Sequence, residues 1–121
     1  MAISYDIDRQ ADLTVFAAQG RLSGKEVEQA IAEFYESGPT TKVLWDINQA
    51  SVAHFNERDL RRIVRFISDR AGVRPGGKTA IVTSRDSDFG VSRMGEAFAH
   101  DTPLEFRIFR SREQALLWLD G

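Results

Sequence analysis

The sequence contains no cysteine, and that absence excludes a disulfide framework, a thiolate zinc site and a thiol nucleophile. Histidine is nearly missing too. His54 and His100 are the only two and stand far apart, so no histidine-based metal motif exists and neither metal nor cofactor is expected. Proline occurs only three times, which leaves no proline-rich linker to divide the chain. No window approaches the ~20 apolar residues of a membrane-spanning helix. The opening Met1 to Asp6 has neither the basic stretch nor the apolar run of a leader, and a cytoplasmic location is the expectation. Net charge is −2 at neutral pH, so a general basic field is absent and no nucleic-acid partner is expected.

The composition that remains is that of an ordinary packed domain. Hydrophobic residues make up 42% and charged residues 28% of the 121 positions, close to globular averages. That length implies one domain spanning residues 1–121. Charge is unevenly placed: residues 1–57 hold 4 Lys+Arg against 9 Asp+Glu, and residues 58–121 hold 12 against 9. A dipolar pattern of this kind suits a protein partner or self-association.

Ile3, Tyr5 and Ile7 alternate with polar residues, and Leu13, Val15 and Ala17 repeat the period of two, which predicts an opening β-hairpin. Ser23 followed by Glu26 is a capping box, and Val27, Ala30, Ile31, Phe34 and Tyr35 then hold helical spacing until Gly38-Pro39, so a first helix is expected over about 24–37. Val43-Leu44-Trp45 is the continuous apolar run of a central strand, edged by Asp46 and Asn48. Asn56 is a good N-cap for a second helix over about 57–72, with Leu60, Ile63, Val64 and Ile67 on one face. Thr79 to Thr83 reads as another strand. Ser87 or Asp88 then caps a shorter helix with Val91, Met94 and Phe98 inward, Leu104 to Phe109 is a last strand, and Ser111 with Gln114 boxes a terminal helix. The order ββαβαβαβα predicts an α/β fold with a mixed, mostly parallel sheet of about five strands and four helices. In open sheets of this class ligands sit beyond the carboxyl ends of the strands, which directs attention to the Asp46 to Glu57 and Ser84 to Asp88 loops.

Three patterns carry chemistry. Gly72 to Thr79 satisfies the P-loop expression, but that motif needs a strand before the glycines and a helix after them. Here a helix precedes and a strand follows, so nucleotide hydrolysis is rejected. Arg58, Arg61, Arg62 and Arg65 form one stripe opposite the apolar face of the second helix. A solvated helix face explains such a stripe, and so does recognition of an acidic protein or an anionic membrane surface, for which guanidinium groups are well suited. Asp46, Asn48, Ser51, His54, Ser84, Arg85, Asp86, Ser87 and Asp88 supply polar atoms in the strand-end loops, yet no Gly-x-Ser-x-Gly elbow or other nucleophile–base signature accompanies them. Turn and cap roles account for Ser84, Asp86, Ser87 and Asp88.

The chain resembles the SpoIIAA-like group of the STAS superfamily, with likeness to small SEC14-type lipid-binding domains. The resemblance runs over nearly the whole chain and rests on Gly20-Arg-Leu-Ser23, Val43-Leu-Trp-Asp-Ile47, Lys78-Thr-Ala-Ile-Val82, Phe89-Gly-Val-Ser-Arg-Met94 and the tail from Phe106 to Leu119. It implies a non-enzymatic regulatory module that docks a partner protein through the start of the second helix. In the anti-sigma antagonists of that group this helix begins Asp-Ser-Ser-Gly-Leu, and the second serine is phosphorylated by a partner kinase. With Leu60 on that leucine, Asn56, Glu57, Arg58 and Asp59 fill the preceding positions, and Arg58 replaces the serine. A docking surface of Asn56, Glu57, Arg58, Arg61, Arg62 and Arg65 without that switch is therefore expected. The SEC14-type likeness implies instead a carrier or sensor of a small hydrophobic or lipid ligand, in a pocket lined by Phe66, Phe89, Met94 and Phe98. Phe55 and Phe66, read as exposed apolar flanks, permit a homodimer.

Overall fold

In the computed structural model, which describes residues 2–121, the alternating segments pair as expected. Ile3–Asp8 forms β1 and Leu13–Arg21 forms β2, antiparallel, with Ile3 opposite Ala18 and Asp8 opposite Leu13. The turn between them holds Asp12 at φ 54°, a left-handed position that aspartate tolerates because its short side chain bonds nearby backbone. Its carboxylate accepts the Thr41 N–H at 2.9 Å and its carbonyl accepts the Lys42 N–H at 3.1 Å, tying the hairpin to the next strand. Hydrogen bonding by Thr41, side chain and then backbone, holds the Asp12 carboxyl below the usual range.

Helix α1 (Gly24–Glu36) starts at a complete capping box: Ser23 Oγ accepts the Glu26 N–H at 3.1 Å and Glu26 Oε1 accepts the Ser23 N–H at 3.0 Å. Strand β3 (Lys42–Ser51) follows, then α2 (Glu57–Ser68), whose N-cap Asn56 and Asp59 bond reciprocally at 2.9 and 3.1 Å. A 3-10 turn (Ala71–Val73) leads to β4 (Lys78–Val82), α3 (Asp86–Phe98), β5 (Glu105–Phe109) and α4 (Arg112–Asp120). Ser111 caps α4 by accepting the Gln114 N–H at 3.2 Å. No helix among the described residues is long and apolar enough to cross a membrane.

The sheet order is β1-β2-β3-β4-β5, antiparallel only at β1–β2. The parallel strands follow one another across the sheet in chain order, so each right-handed crossover steps the same way and lays its helix on the same face. The packing shows it. Phe16, Phe34, Val43, Ile47 and Leu60 join residues of α1, α2 and α3 in one core, with Trp45 stacked on Phe16 at 4.1 Å. Only α4 covers the other face, where Leu44, Ala80, Val82, Ala115 and Leu119 pack together.

This topology corrects one expectation. A ligand crevice beyond the strand ends requires a reversal of strand order, and this sheet has none. Several boundaries shift as well. Strand β3 reaches Ser51, because Gln19 to Arg21 of β2 continue to pair with Gln49 to Ser51 beyond a bulge, so Asp46, Asn48 and Ser51 lie in a strand and not in a loop. Helix α2 stops at Ser68, four residues early, where the Arg70 guanidinium donates to the Phe66 carbonyl at 2.9 Å. Helix α3 is as long as α1 at 13 residues, and its N-cap is Arg85, without a side-chain cap. Gly72 to Thr79 runs from the 3-10 turn into β4; Gly76 takes φ 71° and a Cβ on Gly77 would meet Leu104 at 2.9 Å, so these glycines serve a tight turn.

Candidate functional site

Helix α2 buries Leu60 and presents Arg58, Arg61, Arg62 and Arg65 to solvent, as the 3.6-residue period requires. The stripe is not uniform. Arg61 pairs with Glu57 one turn earlier at 2.9 Å and lies 4.1 Å over the Phe98 ring, while Arg62 pairs with Glu28 of α1 at 3.0 Å. Among the described residues Arg58 and Arg65 have no carboxylate at ion-pair distance. They stand seven positions apart on one face, about 10 Å along the axis at 1.5 Å per residue.

The strand-end residues are brought together, but as staples between neighbouring elements. Asp46 accepts from Arg112 of α4 at 2.8 Å, and Asn48 accepts the Ser84 N–H at 2.9 Å. Arg110 donates to Asp86 at 2.8 Å and to the Ser84 carbonyl at 3.0 Å. Ser51 gives its carbonyl to the Leu22 N–H. His54 sits elsewhere: its Nε2 bonds the Leu22 carbonyl, its ring meets Phe55 edge-on, and its buried Nδ1 has no partner. His54 forms no pair with Asp46, Ser84 or Asp86.

Two residues that the sequence reading left without a functional part hold this region. Asp88, read only as a cap, is 1% exposed; it accepts the Val52 N–H at 2.9 Å and pairs with Arg85 at 3.0 Å, while Arg85 also donates to the Ala50 carbonyl. That clamp fixes the short connection from β3 to the Asn56 cap, and so sets where α2 begins. Arg74 is 4% exposed and donates to the Thr40, Thr41 and Lys78 carbonyls and to Thr79 Oγ1. It pins the N-terminal ends of β3 and β4. Burial lowers its pKa.

Between the sheet and α1, α2 and α3 lies an apolar cavity of about 140 Å³. Its walls include Phe16, Trp45, Leu60, Ile63, Ile81 and Val91, with Tyr35 and Arg74 among the few polar contributors. Neither Phe66, Phe89, Met94 nor Phe98 lines it, which corrects the expected pocket. Met94 is 44% exposed, because α3 packs through the small series Asp88, Ser92, Gly95 and Ala99, with Gly95 against Leu60. The three phenylalanines sit under guanidinium groups instead: Phe66 under Arg70 at 3.6 Å, Phe89 under Arg110 at 4.1 Å and Phe98 under Arg61. Phe55, expected to be exposed, is buried in the main core.

Compared with models of known protein families and with curated proteins, the chain matches none.

Proposed function

We propose that the chain is a non-enzymatic interaction module that docks an acidic protein segment on the outer face of α2, in the manner its resemblance to STAS domains suggests. The observation that carries this reading is the pair of exposed arginines, Arg58 and Arg65, which among the described residues have no carboxylate at ion-pair distance, while Arg61 and Arg62 of the same stripe are paired. Arginines seven residues apart on one helix face match carboxylates two turns apart on a partner helix. The Asp88 clamp and the Asn56–Asp59 box support it by holding the start of α2 rigid, and a pre-ordered surface loses less entropy on binding. An anionic membrane is the weaker match, because the outer face of α2 offers charge without an exposed apolar stripe to insert.

The lipid-carrier reading is disfavoured by size. Ligand sites usually exceed about 300 Å³, and the cavity holds about 140 Å³.

A photo-crosslinking residue at position 69, exposed one turn beyond Arg65, with position 107 on the edge strand β5 as control, tests the docking reading in extract of the native cell. Capture at 69 alone of a protein with an acid-rich segment, abolished by Arg65→Glu, supports it. Equal capture at both positions, or capture insensitive to Arg65→Glu, refutes it.

A further inference from the structure

The cavity beneath α2 has a property that simple core filling does not explain. Its walls are apolar and aromatic, yet one of its polar contributors is a buried guanidinium with no carboxylate at ion-pair distance among the described residues. A guanidinium carries five N–H groups, and the bonds Arg74 makes use one from Nε, one from Nη1 and two from Nη2. One Nη1 hydrogen remains. Tyr35 also lines the cavity; its buried hydroxyl oxygen faces the Arg74 guanidinium as a hydrogen-bonding neighbour, and nothing among the described residues accepts the hydroxyl hydrogen. Buried polar groups are rarely left unpaired, and here a hydroxyl hydrogen without an acceptor stands beside a guanidinium in the wall of one apolar space. The other charged contributor, Glu96, is partly exposed and paired with Arg93 at 3.3 Å, while Asp12 acts on Arg74 only from beyond ion-pair distance.

We propose that this cavity binds a small apolar carboxylic acid of about benzoate's size, with its carboxylate accepting from the Tyr35 hydroxyl beside the Arg74 guanidinium. The size follows from the volume: about 140 Å³ is close to the roughly 150 Å³ of an engineered apolar cavity that takes up benzene. Phe16 and Trp45, stacked at 4.1 Å, supply an aromatic wall for a ring. The charge follows from Arg74, whose planar fork recognises carboxylate better than any neutral group. The site is separate from the outer face of α2, so its failure leaves the docking reading standing.

Calorimetric titration with benzoate, toluene and decanoate, with amide shifts read by NMR, tests the proposal on the full chain. Benzoate is expected to bind with Kd of about 1 mM or tighter, at least about tenfold more tightly than toluene. Arg74→Met would strand three backbone carbonyls and risks unfolding, so Tyr35→Phe carries the test. It should weaken benzoate about fivefold to tenfold and leave toluene unchanged. Ile63→Trp should fill the space and abolish both. Benzoate that fails to bind at about 20 mM, binds no better than toluene, or ignores Tyr35→Phe overturns the proposal. Decanoate binding more tightly than benzoate overturns it too, since a long chain does not fit the volume.

Discussion

Replacing Asp88 with alanine should loosen the start of α2 and destabilise the whole domain. Asp88 is 1% exposed, and one of its oxygens is the acceptor for the N–H of Val52, itself buried. Alanine leaves that N–H unsatisfied out of reach of water, which costs about 1–3 kcal/mol. The second oxygen pairs with Arg85, whose side chain is 52% exposed, so that pair adds only about 0–1 kcal/mol after solvent screening. The sum is about 1–4 kcal/mol, or a Tm lower by roughly 4–16 °C at about 4 °C per kcal/mol for a domain of this size. Asp88→Asn keeps an acceptor for Val52 and should cost only about 1 kcal/mol. Urea unfolding followed by tryptophan fluorescence reads the difference, since Trp45 stacks on Phe16 in the main core. An alanine variant within about 0.5 kcal/mol of the parent, or an asparagine variant as damaged as alanine, would refute the clamp.

Arg74→Lys should destabilise by about 2–3 kcal/mol, because one ammonium cannot reach three carbonyls that a guanidinium spans; calorimetric Tm checks it. Asn56→Ala removes the α2 cap and should cost about 1 kcal/mol, read from the urea midpoint. The lowered Asp12 carboxyl adds stability that is fully present above its unfolded value of about 3.9 and is lost as pH falls through the lower folded value. The stability gap between parent and Asp12→Asn should therefore narrow below about pH 4, and a gap that widens in acid contradicts the assignment. Arg58→Glu with Arg65→Glu should leave Tm within about 2 °C, because glutamate is favourable at the N-terminal turn of α2 and unfavourable at its last.

Much of the fold was legible because local signals agreed with the tertiary structure. The Ser23–Glu26 and Asn56 caps, the Val43-Leu44-Trp45 run and the Gly38-Pro39 stop each mark a real boundary. The failures share a physical cause: reading apolar residues as the only buried ones. Helix α3 packs on small and polar residues, Asp88, Ser92, Gly95 and Ala99, so Met94 was turned to the wrong side. Polar Asp46 and Asn48 looked like a strand edge, although pairing with β2 carries β3 on to Ser51. Arg74 lies in a glycine-proline turn, where nothing in the sequence distinguishes a buried arginine from a solvated one. Its burial depends on carbonyls at Thr40 and Thr41, more than 30 residues away in the chain.

The docking surface is the central claim, and a titration of the isotope-labelled chain with a helical peptide carrying glutamates seven residues apart tests it most directly. The account predicts amide shifts concentrated at 56–66, weakening as salt rises and lost in the Arg58→Glu, Arg65→Glu variant. Shifts scattered over the surface, or unchanged by that charge reversal, would contradict it.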